Sequence, residues 1–280
     1  MSYRKRNNYI HYLHGTGLEI GGLNSPLPVP GARILYSDIL TPEEIDRMYP
    51  GSKHPDIISD SESFPDTESA SFDFIIANHV IEHVTDPIRA LTEWHRLLKP
   101  DGILFLAVPD KRFTFDRDRQ RTPLQHLVDD NTSTLGVKDL NFDHLKDWAT
   151  HVERLDPDSQ EWKDWVDNQY QHGYSVHNHV WQIEDLLELL GHLAEKHNIF
   201  LELIAHNDTP LFDLEFILIL RKKESPSAKE KTRIPKRYKM LKKRYELRHH
   251  LELPFRKMVN ILPGAKQIVK KILLANQETK

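Results

Sequence analysis

Short apolar segments alternate with helix-like segments along the first part of the chain, between Leu18 and Leu106. This alternation constrains the fold strongly, because it is typical of a parallel β-sheet whose strands are joined by crossover helices. The run Phe72–Ala77 is almost continuously apolar, which suits a strand that is buried on both faces. The sequence therefore predicts an α/β protein.

Seven strands are predicted in all. Their ranges are Gly17–Ile20, Ala32–Ser37, Ile57–Ser59, Phe72–Ala77, Ile103–Val108, Phe200–Ala205 and Phe212–Leu220. The last two resemble an antiparallel hairpin that closes one edge, so the predicted sheet is mostly parallel. One helix is predicted to begin with Thr41 as N-cap and Pro42 at its first position, and another to follow Asp86-Pro87 and continue through Leu98. The turn Lys99–Gly102 should then lead into the fifth strand.

Two segments lie outside this alternation. From about residue 111 to 176 the apolar density falls while charged residues, histidine and tryptophan increase, which predicts a helical insertion before a further helix at Trp181–Leu193. From Ser225 onward the chain carries 16 lysines and arginines against 4 acidic residues, a net +12, so the rest of the chain carries a net −16. We therefore predict one domain over residues 1–222, then a linker and a basic helical C-terminal tail over residues 223–280.

The tail has two apolar helical faces among its lysines and arginines. They consist of Tyr238, Leu241 and Tyr245, and of Ile268, Ile272 and Leu273. Such faces could enter a membrane interface while the basic residues meet lipid phosphates. The alternative is that they pack on the body of the protein or on a second subunit, as amphipathic helices usually do.

The composition excludes several classes of protein. The chain has no cysteine, which excludes disulfides, thiolate metal sites and a cysteine nucleophile. No apolar run approaches the roughly 20 residues that cross a bilayer, and the N-terminus lacks the apolar core of a signal peptide. The expected compartment is therefore the cytoplasm, with peripheral contact to the inner face of the membrane through the tail. Nucleic-acid binding is not favoured, because the body is acidic and no binding motif is recognised.

A glycine pair and two acidic residues mark a candidate ligand site. Gly21 and Gly22 follow the first predicted strand, and glycine lets a ligand approach the backbone closely. Asp38 and Asp60 lie at the ends of the next two strands, where open α/β sheets bind their ligands. A carboxylate at Asp38 can accept both hydroxyls of a ribose, and Asp60 could face an adenine amine. The alternatives are a simple tight turn and solvated loop carboxylates.

Three strings of residues are together more specific than the glycines. They are Phe72-Asp-Phe-Ile-Ile-Ala-Asn-His-Val-Ile-Glu-His-Val, Leu97-Leu-Lys-Pro-Asp-Gly and Ile103-Leu-Phe-Leu-Ala-Val-Pro-Asp. In this combination the chain resembles the class I S-adenosylmethionine-dependent methyltransferases over about residues 18–221, weakly in the insertion and not in the tail. The string Pro109-Asp-Lys-Arg-Phe-Thr-Phe-Asp is similar to a bacterial subgroup often found beside enzymes of surface-glycan synthesis. The resemblance implies a Rossmann-like sheet and S-adenosylmethionine as the cofactor.

The resemblance also implies which residues contact the cofactor. These are Glu19, Gly21, Gly22, Asp38, Asp60, Ser61, Asn78 and His79. Glu19, Gly21, Asn78 and His79 are implied to lie near the methionine part. Asp38 is implied to bind the ribose, and Asp60 and Ser61 to lie beside the adenine. The chain departs from the family in one respect, because the glycine-rich loop usually has a second spaced glycine where this chain has Leu23 and Asn24.

Histidine is the expected general base if the methyl acceptor is a hydroxyl, and such a base adds about 10²–10⁴-fold to the rate. Of the 17 histidines, His177 and His179 stand where the insertion returns to the sheet, so both are predicted catalytic residues at the mouth of the site. In an extended segment they would point the same way, a spacing that also suits two metal ligands. No adjacent third ligand is evident, although Asp110, His144 or His172 could converge, and we predict no metal. Packing or hydrogen bonding is the remaining alternative for the pair.

The leading hypothesis is an S-adenosylmethionine-dependent methyltransferase that acts on a hydroxyl of a small molecule or glycan, with the insertion as acceptor-binding lid. Trp148, Trp162, Trp165 and Trp181 are candidates for a sugar-stacking wall or for core packing. The alternative hypothesis is a non-catalytic cofactor-binding module that the basic tail recruits to a membrane assembly. A nicotinamide-dependent oxidoreductase is a third candidate, but the fuller glycine fingerprint is lacking.

Overall fold

A computed structural model describes residues 2–22, 25–134, 137–209 and 213–261. The described strands form a seven-stranded sheet in the order β3-β2-β1-β4-β5-β7-β6. They are β1 Thr16–Ile20, β2 Arg33–Asp38, β3 Ile57–Ile58, β4 Phe72–Asn78, β5 Leu98–Pro109, β6 Leu201–Asn207 and β7 Glu215–Lys222. Strands β1 to β5 pair in parallel, whereas β7 runs antiparallel to both β5 and β6. The predicted α/β class, the mostly parallel sheet and the antiparallel closing hairpin are confirmed.

Eight α-helices are described along these strands. They are α1 Ser2–Asn7, α2 Pro42–Met48, α3 Pro87–Leu97, α4 Leu124–Thr132, α5 Val137–His151, α6 Gln160–His172, α7 Ile183–His192 and α8 Ala228–Ile261. The predicted start of α2 is confirmed, because the Thr41 hydroxyl accepts from the backbone N–H of Glu44 and the Glu44 carboxylate accepts from that of Thr41. Asp86 is the N-cap of α3, and its carboxylate accepts from the backbone N–H of Arg89.

The central strands are buried on both faces, as the sequence predicts. On β4, Ile75 packs in one apolar core while its neighbours Phe74 and Ile76 pack in the other. Strand β5 is longer than predicted, because Leu98 already pairs with Phe72 across a register shift. The predicted turn at Lys99–Gly102 is therefore part of β5, in which Asp101 takes a φ of 60°.

The insertion is helical and has its own small core. Helices α4, α5 and α6 and a 3₁₀ turn at Phe115–Asp118 make up most of it. Leu145, Trp148 and Val166 are buried together, and Trp162 and Trp165 pack against them. Trp181 instead lies in the main core beneath the sheet. The four tryptophans therefore do not form one wall for sugar stacking, because Trp181 lies in the main core, whereas Trp148 and the half-buried Trp162 and Trp165 pack in the small core of the insertion.

The C-terminal helix α8 packs on the body of the protein. Tyr238, Leu241 and Tyr245 are 2%, 7% and 7% exposed and belong to the main apolar core. The expectation that these three side chains enter a membrane is wrong, because their apolar face is already covered by α7 and β6. The second predicted face, Ile268, Ile272 and Leu273, lies outside the described residues. In the described part of the chain, no helix combines the length and apolar character that a membrane span needs.

Candidate functional site

The predicted cofactor residues meet at one edge of the sheet. In the parallel register, Ile20 at the end of β1 lies opposite both Ser37 on β2 and Ala77 on β4. The next residues along the chain, Gly21, Asp38 and Asn78, therefore emerge side by side at the carboxyl ends of three adjacent strands. This edge is where open α/β sheets bind nucleotide-like ligands.

Glu19 is a fully buried carboxylate beneath this edge. It accepts hydrogen bonds from the backbone N–H of Leu27, at 2.9 and 3.1 Å, and from the Asn78 amide at 3.4 Å. Burial raises the pKa of Glu19 to about 7, and these hydrogen bonds only partly oppose that effect. A bound cation would therefore stabilise the ionised form of Glu19.

The glycine pair leaves room for the Glu19 side chain. A Cβ on Gly22 would lie 2.5 Å from the Glu19 carboxyl carbon, so a larger residue would displace Glu19. Gly21 takes a φ of +66°, in the left-handed region that glycine adopts most easily. The departure from the family pattern, Leu23 and Asn24, lies outside the described residues.

Asn78 ends β4 at the same edge, and His79 follows it. The Asn78 Oδ1 atom is buried and has no hydrogen-bond partner among the described residues. His79 has a φ of 55°, and its Nε2 lies 2.7 Å from Oε2 of Glu215, a carboxylate that Arg6 also binds. An unpartnered amide oxygen beside a buried carboxylate suits the ammonium group of a methionine moiety.

Asp38 and Asp60 differ in how free their carboxylates are. Asp38 is half-buried and uses Oδ1 to accept from the backbone N–H of Leu40, at 3.0 Å. Asp60 is exposed and uses Oδ1 to accept from the backbone N–H groups of Glu62 and Ser63. Ser61, between Asp60 and Glu62, has a φ of 72°, so Asp60 and Ser61 form a tight turn. The roles of both aspartates and of Ser61 in cofactor binding stay predictions.

The structure separates the two predicted catalytic histidines. Asn178 and His179 both donate their backbone N–H groups to the carbonyl of Glu82, at 2.7 and 3.1 Å, as in a β-bulge. This local twist sends the side chain of His177 toward Phe115, whereas the ring of His179 stacks on Trp181. The expectation that the two rings point the same way is therefore wrong.

His177 is held by a buried carboxylate. Its Nδ1 lies 2.8 Å from Oδ2 of Asp116, and Asp116 also pairs with Arg119 at 2.9 Å. Burial acts to raise the pKa of Asp116, but the His177 hydrogen bond and the Arg119 guanidinium outweigh it, so the pKa lies below its usual value. An ionised Asp116 fixes the Nδ1–H tautomer of His177 and leaves the lone pair on Nε2.

Glu82 is a candidate site residue that the sequence reasoning missed. It is 1% exposed, and neither carboxylate oxygen has a hydrogen-bond partner in the described part of the chain. Its Oε1 lies 3.9 Å from Nδ1 of His79 and 4.0 Å from Nε2 of His177. Glu82 therefore joins the cofactor edge to His177. Asp116 was also missed, although it ends the Pro109-to-Asp116 string that carries part of the family resemblance.

Another group of histidines lies behind this site. His179 meets His126 and Asp130 of α4 and His144 of α5. Burial lowers the pKa of His144 to about 4 and also lowers the pKa of His179. Of the residues considered as partners for the His177 and His179 pair, only His144 converges on either one. Asp110 pairs with Arg112, and His172 is exposed on α6.

A family model described as a methyltransferase domain matches residues 31–194, which is more than half of the chain. The chain belongs to this methyltransferase family. S-Adenosylmethionine is its cofactor. The buried Glu19 carboxylate and the Asn78 oxygen, which has no hydrogen-bond partner among the described residues, fit a ligand that carries an ammonium and a sulfonium.

Several solved structures are similar to this methyltransferase. A Rhodobacter sphaeroides protein provisionally described as a Zn-dependent alcohol dehydrogenase is 14% identical, with 79% of this chain and 90% of that chain covered and a TM-score of 0.51. A SAM-dependent methyltransferase from Methanosarcina mazei is 19% identical, with coverages of 78% and 97% and a TM-score of 0.43. A Listeria monocytogenes protein, provisionally described as S-adenosylmethionine-dependent methyltransferase, is 10% identical, with coverages of 79% and 98% and a TM-score of 0.46. No curated protein matches the chain by sequence.

Replacing Asp38 with alanine should weaken S-adenosylmethionine binding by about 10- to 150-fold, because the ribose hydroxyls lose a charged acceptor worth about 1.5–3 kcal/mol. Titration calorimetry measures this directly. Asp66→Ala, at an exposed position away from the sheet edge, is the matched control and should bind like the parent. Parental affinity in Asp38→Ala would show that the ribose lies elsewhere.

Proposed function

We propose that this methyltransferase transfers the methyl group to a hydroxyl of a small molecule or glycan, with His177 as general base. The observation that carries the proposal is the Asp116–His177 pair beside the buried Glu82 carboxylate. A base oriented by a carboxylate is the arrangement that activates weak oxygen nucleophiles in other enzyme classes. Amine acceptors depend less on such a base, since a neutral amine is already nucleophilic.

Bound S-adenosylmethionine supplies a methyl group that its sulfonium has already activated. The protein therefore has to orient the acceptor and remove its proton. Nε2 of His177 would take the proton of the acceptor hydroxyl, whose oxygen would receive the methyl group that S-adenosylmethionine releases from its sulfur. The proton on Nδ1 of His177 stays there and keeps its hydrogen bond to Asp116. The Asp116 carboxylate thereby stabilises the imidazolium that results.

The surroundings of Glu82 favour a polyhydroxylated acceptor such as a sugar. Its two buried oxygens have no hydrogen-bond donor in the described residues, and a buried unpaired carboxylate is costly. A neighbouring hydroxyl on the acceptor would supply a donor while the reacting hydroxyl meets His177. The 4.0 Å between Glu82 Oε1 and His177 Nε2 is short enough for two adjacent hydroxyls of one acceptor to contact both side chains.

The alternative of a non-catalytic module has less support than this proposal. It depended on recruitment to a membrane by the tail, and the first apolar face of the tail is buried in the protein core. An intact Asp–His pair also has no evident use in a module that only binds the cofactor.

An acceptor panel tests the proposed reaction. The enzyme is incubated with S-adenosylmethionine labelled on its methyl group and with sugars, nucleotide sugars and phenols, alongside matched amines. We expect label in an alkali-stable ether on a hydroxylated acceptor and little transfer to the matched amines. Transfer to amines alone would contradict hydroxyl methylation, and tight cofactor binding without transfer to any acceptor would favour the non-catalytic module.

A further inference from the structure

Four potential metal ligands converge where the insertion joins the sheet domain. His126 and Asp130 lie one turn apart on α4, His144 lies on α5, and His179 lies in the segment that returns to the sheet. Each offers one ligand atom, and these atoms all lie within 4.8 Å of one another. The three imidazole rings are in mutual contact, with centroid distances of 5.0 to 5.6 Å.

His179 is oriented as a metal ligand would be. Its ring is fully buried, and Nε2 lies 3.3 Å from the backbone carbonyl of Thr85. A carbonyl only accepts, so Nε2 carries the proton and Nδ1 carries the lone pair. Nδ1 has no hydrogen-bond partner among the described residues. A backbone carbonyl that fixes one ring nitrogen while the other is left free is the usual support of a metal-bound histidine.

Asp130 also has a buried ligand atom without a hydrogen-bond partner among the described residues. Its Oδ2 is buried and lies 3.2 Å from Nε2 of His126, but without the geometry of a hydrogen bond. Tetrahedral ligands at zinc bond lengths are about 3.3 Å apart, so this pair already has the required spacing. Residues four apart on a helix share a face, which is how helical metal sites place two ligands.

We propose that His126, Asp130, His144 and His179 together bind one divalent cation of the zinc class. Three imidazole nitrogens and one carboxylate oxygen match the preference of zinc, and the absence of cysteine sulfur is no obstacle to such a site. Because four protein ligands fill a tetrahedral shell, the ion has a structural role. It connects α4 and α5 to the segment that carries His177, and so holds the insertion against the sheet domain.

Metal analysis and thermal unfolding of the untagged full-length chain test this proposal. We expect about one zinc per chain after purification and dialysis. After chelator treatment, adding Zn²⁺ alone should raise Tm by about 5 °C or more, because the ion binds only the folded protein. Co²⁺ in the same site should show the intense visible absorption of tetrahedral coordination.

Variants assign the effect to these four residues. His126→Gln is the first choice, because the side chain of His126 is 41% exposed and its replacement should not impair folding. It should lose the Zn²⁺-dependent rise in Tm and the Co²⁺ absorption, as should Asp130→Asn. His172→Gln on the exposed face of α6 is the matched control and should keep both.

Three outcomes would overturn the proposal. The first is a protein that is purified without metal and gains no thermal stability from Zn²⁺. The second is a parental response to Zn²⁺ in both His126→Gln and Asp130→Asn. The third is loss of the response in His83→Gln but not in His126→Gln, which would place the ion at the neighbouring group of Glu82, His83 and His177. None of these readouts depends on the methyl acceptor, so they are independent of the proposed reaction.

Discussion

Replacing His177 with glutamine should lower kcat by about 10²–10⁴-fold, which is the usual contribution of a general base. Glutamine keeps much of the size of the imidazole but cannot take up a proton at neutral pH. Because His177 lies in the segment that returns from the insertion to the sheet, and not in the glycine pair at the end of β1, the affinity for S-adenosylmethionine should change little. Initial-rate kinetics with the acceptor found in the panel, together with calorimetry of cofactor binding, measure the two effects separately.

Asp116→Asn tests the positioning role of the carboxylate in the same assay. Asparagine can present its amide N–H to Nδ1 of His177, which favours the tautomer with the proton on Nε2 and removes the lone pair from the acceptor side. The rate should therefore fall in this variant also, without loss of the histidine. His172→Gln, an exposed histidine on α6, serves as the control and should keep the parental rate. A His177→Gln enzyme with a near-parental kcat would remove His177 from the reaction.

Replacing Glu19 with glutamine should weaken S-adenosylmethionine binding by about 2–5 kcal/mol, which is roughly 30-fold to several-thousand-fold. The physical reason is that Glu19 is a buried carboxylate without a full complement of positive partners, so a cationic ligand gains most from its charge. Calorimetry at pH 8 measures the difference. Glu43→Gln, an exposed glutamate on α2, is the matched control and should bind like the parent.

The pH dependence of binding gives a second measurement for Glu19. Its pKa is raised to about 7 in the protein without cofactor, so the carboxylate is protonated below that pH and loses its attraction for a cation. The affinity should fall by up to about tenfold per pH unit as the pH decreases from 7, and this dependence should be absent in Glu19→Gln.

The thermal stability of Glu19→Gln separates lost binding from lost folding. A carboxylate with a folded pKa above its unfolded value stabilises the fold below about pH 4.5, and this contribution is lost as the pH rises through about 7. Without cofactor, the glutamine variant should therefore unfold at no lower temperature than the parent at pH 8. Parental cofactor affinity at every pH in a folded Glu19→Gln protein would show that Glu19 does not face the cation.

The candidate site was only partly predictable. Gly21, Asp38 and Asn78 could be placed because each follows a strand, and parallel strands bring their carboxyl ends to one edge. Glu82 and Asp116 had no comparable signal. Their importance depends on His177, which lies 95 and 61 residues further along the chain. The spacing in the sequence paired His177 with His179. In the structure the backbone twists at Asn178 and His179, whose N–H groups both donate to the Glu82 carbonyl, and the two rings contact different residues.

The sequence by itself determined the layered sheet, since strands buried on both faces must be apolar throughout and their turns need glycine, proline and aspartate. It also determined that Tyr238, Leu241 and Tyr245 share one apolar face of a basic helix. Only the tertiary structure decided what the apolar face of α8 covers. Tyr238 and Leu241 are apolar enough for either a membrane interface or a protein core, so their polarity does not distinguish the two. It likewise decided which histidines meet. His126, His144 and His179 converge through helix packing and one hydrogen bond that His179 donates to the Thr85 carbonyl, and these long-range contacts leave no periodic pattern in the chain.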